Sequence, residues 1–172
     1  MLLGLAISGA ILAGHFVGRR PAPPVLSGAN TSGVPQRVAL MGLPPKFGTT
    51  VHIHEHLDLF VDGKRMGVPA GIGIDPGGRF LVPLHTHDSS GVIHVESPVQ
   101  RDYTLGEFFG VWGVRLTRRC LGRYCGDLSV FVDGHRLASD PAQLQLRQHQ
   151  EIAVVVGRAV PVPSFYDFPP PD

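Results

Sequence analysis

The sequence contains little formal charge, and this scarcity excludes several classes of function. Only 17% of the 172 residues are charged, and the formal net charge is +1. Nucleic-acid binding normally requires a strongly basic face, so we expect no nucleic-acid partner. The chain also lacks a Ser-His-Asp pattern. It has neither a phosphate-binding loop nor a dinucleotide-binding fingerprint, and these two absences argue against nucleotide-dependent chemistry.

Cysteine is nearly absent. Cys120 and Cys125 are the only two, within the segment "CLGRYC". An even pair of cysteines that closes a small loop beside a turn-forming glycine is typical of a disulfide outside the cytosol. The alternatives are a pair of thiolate metal ligands or two free thiols.

Charge is missing altogether from the first seventeen residues, "MLLGLAISGAILAGHFV". Such a run is at the short end of what spans a bilayer, roughly 17–25 residues, and is longer than the apolar core of most signal peptides. We predict that residues 1–18 form a membrane anchor or export signal, which places the rest of the chain outside the cytoplasm. Arg19 and Arg20 follow the run instead of preceding it, against the positive-inside tendency. A basic segment upstream of Met1 would remove that conflict, and a cytoplasmic domain is the alternative.

Composition divides the remainder into three parts. Residues 19–45 are rich in Pro, Gly, Ser and Ala and are predicted to be a linker. Residues 46–158 form one histidine-rich globular domain. The Pro-rich tail, residues 159–172, cannot enter a helix or sheet, and its Phe165, Tyr166 and Phe168 either dock on the domain or remain available to a partner.

Turn signals between apolar runs predict two hairpins followed by a helix. Asp62-Gly63 joins the first pair of strands, and the four-residue loop 88–91 joins the second. Thr104 and Glu107 then have the spacing of a capping box, and apolar residues recur after them at helical intervals. This pattern predicts a short helix over 105–112.

The last third of the chain repeats the first hairpin motif. "LSVFVDGHRL" (128–137) matches "LDLFVDGKRM" (57–66) at six of ten positions, which a shared hairpin geometry explains without duplication. "HQEIAVVVG" supplies a closing strand. We predict an α+β, mostly β domain with a β-grasp-like mixed sheet of hairpins and one short helix. A small β-sandwich or barrel is the alternative.

Histidines are the feature that the composition does not explain. In "VHIHEHLDLF" the alternation of side chains along a strand places His52, His54 and His56 on one face. In "LHTHDSSGVIH" a loop over 88–91 pairs His85 with His94 and brings His87 to the same face. Two strands can thereby hold three nitrogens around one ion and leave a fourth position open.

This arrangement predicts a site for a transition metal, Zn or Cu(II), because imidazole suits both ions and no Met-rich segment favours Cu(I). The predicted ligands are His52, His54, His56, His85, His87 and His94. Glu55, Asp88 and Glu96 are predicted to orient them from a second shell. Histidines that only line a solvated strand are the alternative. His135 and His149 are isolated, and we assign them no role.

The chain resembles a group of uncharacterised exported bacterial proteins that share four blocks, "HIHEHLDLFVDG", "LHTHDSSGVIHVESP", "YTLGEFFGVWG" and "CLGRYC". The resemblance covers about residues 50–157. It implies an exported, membrane-anchored protein with a metal site, and it implies no reaction. The cupin pattern fits less well, because the Glu expected after the first His pair is missing here.

Three functions are compatible with these features. The first is a membrane-tethered, extracytoplasmic metal-binding domain, and we favour this non-enzymatic function. The second is a zinc-dependent hydrolase or hydratase in which Glu55, Asp88 or Glu96 is the general base. The third is an envelope interaction module whose histidines are structural or respond to pH.

Overall fold

The computed structural model describes residues 24–158 and 165–168. Two α-helices, nine strands and a short 3₁₀ helix (Pro141–Gln143) occur within these ranges. The helices are α1 (Val34–Leu40) and α2 (Leu105–Trp112). The strands are β1 (Val51–Val61), β2 (Lys64–Met66), β3 (Leu84–His85), β4 (Val92–Ser97), β5 (Cys120–Leu121), β6 (Tyr124–Cys125), β7 (Leu128–Val132), β8 (His135–Arg136) and β9 (Glu151–Val156).

The main sheet is mixed and is built around β1. Its order is β3-β4-β1-β9-β7-β8, and β2 pairs with β1 in addition. The central pair, β1 and β9, is parallel, whereas the other pairs are antiparallel. The order β2-β1-β9-β7-β8, with a helix before β7, is that of a β-grasp sheet. The prediction of an α+β, mostly β fold is confirmed.

The β3–β4 hairpin is an addition to this β-grasp order. The second half of β1 pairs with β9 and β2, and the first half extends further to pair with β4 through residues 51–56. The added hairpin and this extension carry all six of the predicted histidine ligands. The histidines therefore lie beside the β-grasp unit, on strands that its central strand holds in place.

The two Asp-Gly turns have the same backbone conformation, as their shared sequence predicts. φ is positive at both central residues of each turn, 50° and 80° at Asp62 and Gly63, and 49° and 79° at Asp133 and Gly134. Two positive φ values define the type I′ turn that suits the twist of a two-residue hairpin. Both hairpins thus have fixed registers, and they flank β9 on its two sides.

Helix α2 covers the core face of the sheet and begins where the sequence predicts. The Thr104 side chain accepts a hydrogen bond from the Glu107 amide, and the Glu107 carboxylate accepts one from the Thr104 amide. Phe108, Phe109 and Trp112 are buried and form an aromatic cluster with ring centroids 5.7–6.3 Å apart. These rings pack with the apolar side chains of β1, β4 and β9 in one core.

The predicted linker extends too far towards the C-terminus. Within residues 34–43 the chain forms α1, and Val34, Val38 and Leu43 are buried in the core. The Arg37 guanidinium also donates to the carbonyls of Gly110 (3.0 Å) and Val111 (2.9 Å) at the end of α2. Seven residues make only about two helical turns, too few for a clear periodic signal, and the neighbouring Pro and Gly residues obscured it.

The cysteines form the predicted disulfide, Cys120–Cys125, across the small two-stranded sheet of β5 and β6. No helix within the described ranges 24–158 and 165–168 has the length and apolar character needed to cross a membrane. The predicted anchor, residues 1–18, lies outside the described residues.

Part of the Pro-rich tail lies on the domain. The Tyr166 ring stacks on His56 with centroids 4.5 Å apart, and the Phe168 ring stacks on His149 at 4.6 Å. The Tyr166 amide donates to Glu151, whereas Phe165 remains 65% exposed. Two of the three tail aromatics therefore dock, which is one of the two predicted alternatives.

Helix packing can be tested with a matched pair of substitutions. Leu105 in α2 is fully buried, and Leu40 in α1 is 87% exposed. We expect Leu105→Ala to lower the free energy of unfolding by about 2–5 kcal/mol, because it removes buried methyl groups and leaves a cavity. Leu40→Ala should change it by less than about 0.5 kcal/mol. Urea denaturation of both variants is the measurement, and equal losses would contradict this packing.

Candidate metal centre

Three adjacent strands place histidines in register on the outer face of the sheet. His54 on β1 is directly opposite His94 on β4, and His94 is opposite His85 on β3. Two residues away along each of β1 and β4, His52 is opposite Glu96. Because directly opposed residues project to the same side, these side chains converge. We call the surface formed by His52, His54, His85, His87, His94 and Glu96 the histidine face.

The first histidine group on this face comprises His85, His87, His94 and Glu96. One donor atom from each lies within 4.8 Å of the others. His85 Nε2 is 3.2 Å from His87 Nε2 and 3.8 Å from Glu96 Oε1, and His94 Nδ1 is 3.3 Å from Glu96 Oε1. Donors bound at roughly 2.0–2.1 Å to a tetrahedral ion are about 3.3 Å apart. This group could hold a metal ion with little rearrangement.

Hydrogen bonding fixes the tautomer of His85. Its Nδ1 lies 3.0 Å from the carbonyl oxygen of Val82, and a carbonyl can only accept, so Nδ1 carries the proton. The Nε2 lone pair then faces His87 and Glu96. Proteins commonly orient a ligating imidazole with a hydrogen-bond acceptor for the N–H of the ring nitrogen that does not bind the metal. For His85 the backbone carbonyl of Val82 is that acceptor.

Burial keeps the inner imidazoles neutral. Burial, followed by the nearby His87 and His94, lowers the pKa of His85 to about 3. Burial and then His87 lower the pKa of His94 to about 4. His94 Nδ1 is also buried. Its 3.3 Å contact with Glu96 Oε1 is not a hydrogen bond, so this nitrogen has no hydrogen-bond partner among the described residues. A buried nitrogen without a partner is costly in an isolated domain, and a metal ion would satisfy it.

The second histidine group comprises His52, His54 and Glu96, whose donor atoms also lie within 4.8 Å of one another. His52 Nε2 is 3.6 Å from Glu96 Oε1. The His54 ring contacts both His52 and His94, with centroids 4.9 and 4.5 Å apart. Burial and then the neighbouring His94 lower the pKa of His54. Glu96 is therefore shared by both groups.

His56 does not join the histidine face, although it has the same strand parity. Its cross-strand neighbour on β4 is Val92, so no donor lies opposite it there. Its Nδ1 is 3.1 Å from Glu151 Oε2, its Nε2 is 3.1 Å from the Ser90 carbonyl oxygen, and Tyr166 stacks on its ring. Both nitrogens thus face protein oxygens, and the structure places His56 outside both groups of possible ligands.

The three carboxylates predicted as second-shell partners have three different environments. Glu55 is buried on the opposite, core face, where burial raises its pKa well above the usual value. Asp88 accepts hydrogen bonds from the Ser90 amide and hydroxyl, which lower its pKa and close the hairpin loop. Glu96 lies among the imidazoles at ligand distance. Glu55 therefore lies away from the candidate metal site, and Glu96 lies among its possible ligands.

The sequence predicted Glu96 only as a second-shell partner, and it did not predict the backbone contact that covers β1. Glu96 could have been recognised as a ligand, because the strand alternation that aligns His54 with His94 also aligns His52 with Glu96. The segment before β9 covers the edge of β1 near His54. The backbone carbonyl of His54 accepts a hydrogen bond from the His149 amide at 2.7 Å, and the backbone amide of His54 donates to Gln148 Oε1 at 2.9 Å. No local sequence pattern predicts this contact, because it joins residues that are far apart in the chain.

Comparison with known proteins identifies no relative: no family model, no curated protein and no solved structure matches this chain. The function is therefore inferred from the geometry of the histidine face. That geometry offers five imidazoles and one carboxylate, of which His52 and His87 are exposed and His85 is buried.

The pH dependence of stability tests the buried imidazoles. In the metal-free protein, His85 and His94 stay neutral down to about pH 3 and 4, whereas in the unfolded chain they protonate near pH 6.5. The unfolded state then binds more protons, so the free energy of unfolding must fall as the pH drops from 6.5 towards 4, by about 1.4 kcal/mol per pH unit for each such histidine.

We expect His85→Gln to flatten this slope and the exposed control His135→Gln to leave it unchanged. Glu55 contributes a slope of opposite sign, since its folded-state pKa is raised, but it is common to all three proteins and cancels in the comparison. Urea denaturation in chelator between pH 4 and 7 is the measurement. Identical slopes for the parent and His85→Gln would show that His85 protonates freely in the fold.

Proposed function

We propose that this protein is a transition-metal-binding domain whose primary site is the first histidine group. The observation that carries this proposal is the donor spacing: three imidazole nitrogens and one carboxylate oxygen converge within 4.8 Å. The orientation of His85 by the Val82 carbonyl supports the proposal, because it directs a lone pair into the group before any ion arrives. Preorganised donors lose little freedom when they bind.

The donor set favours Zn(II) or Cu(II). Three imidazoles and a carboxylate form a borderline nitrogen and oxygen environment, which suits both ions, whereas Ca(II) and Mg(II) prefer oxygen alone. No cysteine is available to the site, because both are joined in a disulfide elsewhere.

An extracytoplasmic, membrane-tethered location is part of this proposal. The Cys120–Cys125 disulfide supports it, since structural disulfides persist in oxidising compartments and are rare in the cytosol. The uncharged run at the start of the sequence supplies the anchor in this proposal. In such a compartment the domain would store, deliver or sense the metal.

The alternative of a zinc-dependent hydrolase or hydratase has less support. A catalytic zinc needs a nearby base that can accept a proton from bound water. Glu55 faces the core, Asp88 is held by Ser90, and Glu96 is one of the ligands. None of the three carboxylates predicted for that role is free to perform it.

Metal content tests the proposed function directly. The full-length, untagged chain is reconstituted with Zn(II) or Cu(II), desalted and analysed by elemental mass spectrometry. We expect the parent to retain at least a stoichiometric amount of one metal. His85→Ala/His87→Ala should lose most of it, and His135→Ala, a histidine at the other edge of the sheet, should retain it.

His87→Ala alone guards against misfolding of the double variant, because the His87 side chain is exposed and its removal leaves no core cavity. We expect this variant to bind at least about tenfold more weakly, since a direct ligand is lost. A parent that binds neither metal would contradict the proposal, as would a double variant that is folded by circular dichroism and fully loaded.

A further inference from the structure

We propose that the histidine face holds two metal ions, bridged by the carboxylate of Glu96. The first ion binds the first histidine group, and the second binds His52 and His54. This inference rests on the proposed function and extends it from one ion to a paired centre. It follows from the position of one carboxylate between two sets of imidazoles.

One oxygen, Glu96 Oε1, lies close to imidazole nitrogens of both groups. Glu96 Oε1 lies 3.3 Å from His94 Nδ1 and 3.8 Å from His85 Nε2 on one side, and 3.6 Å from His52 Nε2 on the other. A carboxylate has about four lone-pair sites on its two oxygens, so it can bind both ions at once. Two-metal centres in proteins have ions roughly 3.5–4 Å apart, which is the separation that a shared carboxylate imposes.

One ion cannot use all of these donors. The six donor atoms do not fall into one set but divide into two, which have only Glu96 in common. A tetrahedral ion takes four ligands, and the first group already supplies four. His52 and His54 would then remain as a pair of imidazoles beside a bound cation, with lone pairs available to a second one.

Charge and exposure set the order of binding. Two divalent ions would share one protein carboxylate while their other ligands are neutral imidazoles, so the first ion repels the second. The first group contains the fully buried His85, whereas the side chain of His52 in the second group is 52% exposed. Water at the exposed side can complete the coordination of the second ion and screen the repulsion. The first group therefore fills first, and the second binds more weakly.

Calorimetric titration of the full-length protein with Zn(II) alone counts the ions. We expect two equivalents in the parent, with the second bound at least about tenfold more weakly than the first, as repulsion at this distance requires. His52→Ala/His54→Ala should bind one equivalent with the affinity of the first site. His135→Ala should behave as the parent, which separates the second site from adventitious binding at an exposed histidine.

Titration with Cu(II), followed by electron paramagnetic resonance, tests the bridge. The signal should grow through the first equivalent and then lose intensity as the second ion couples to the first. In Glu96→Gln, which lacks the bridging anion, the second equivalent should bind still more weakly and its signal should simply add. Uncoupled signals in the parent at two equivalents would overturn the bridged arrangement.

The outcomes separate this inference from the proposed function. A parent that binds one equivalent and loses it in His85→Ala/His87→Ala overturns the second site and leaves the proposed function intact. A parent that binds none overturns both. Two equivalents that persist in a folded His52→Ala/His54→Ala variant would place the second ion elsewhere and overturn this assignment.

Discussion

The pairing of β1 along both of its edges is the constraint on which the rest of the structure depends. Over its second half β1 is the central strand of the β-grasp sheet, with β9 on one side and β2 on the other. Over its first half it carries β4 and, through it, β3. A slip of one residue would turn every histidine of β1 towards the core and every core leucine towards solvent. The apolar face under α2 thus also fixes the register of the histidine face.

This construction separates the forces that hold the fold from the chemistry of the site. The aromatic cluster of α2 and the apolar residues of three strands form the core on one side of the sheet, and the imidazoles gather on the other. Crowded neutral imidazoles, one of which has a buried nitrogen without a hydrogen-bond partner in the part of the chain that the structure describes, lower the stability of the fold when no ion is bound. A metal ion that bound the histidine face only in the folded state would offset that cost, and metal affinity and stability would then be linked.

Local signals predicted what depends on neighbours in sequence. The Asp-Gly turns, the Thr104–Glu107 capping box and the alternation of His85, His87 and His94 are short-range patterns, and each corresponds to an observed element. Sequence could not reveal what depends on distant partners. His56 fits the strand alternation, but its ring contacts Glu151 on β9 and Tyr166 in the tail and does not join the histidine face. Helix α1 is too short to give a clear periodic pattern in the sequence, and a contact with a distant element, α2, helps to hold it in place.

The parallel pairing of β1 with β9 also has a consequence for when the protein can acquire metal. The ligands all lie between residues 52 and 96, yet His56 and its β9 partner Glu151 are 95 positions apart in the chain. A chain synthesised only as far as residue 97 would already carry every one of these donor atoms and the strands β1, β3 and β4, but it would lack β9. Non-local pairing of this kind forms late. In the proposed function, an ion would therefore meet the fully assembled sheet behind the histidine face only after β9 has paired with β1.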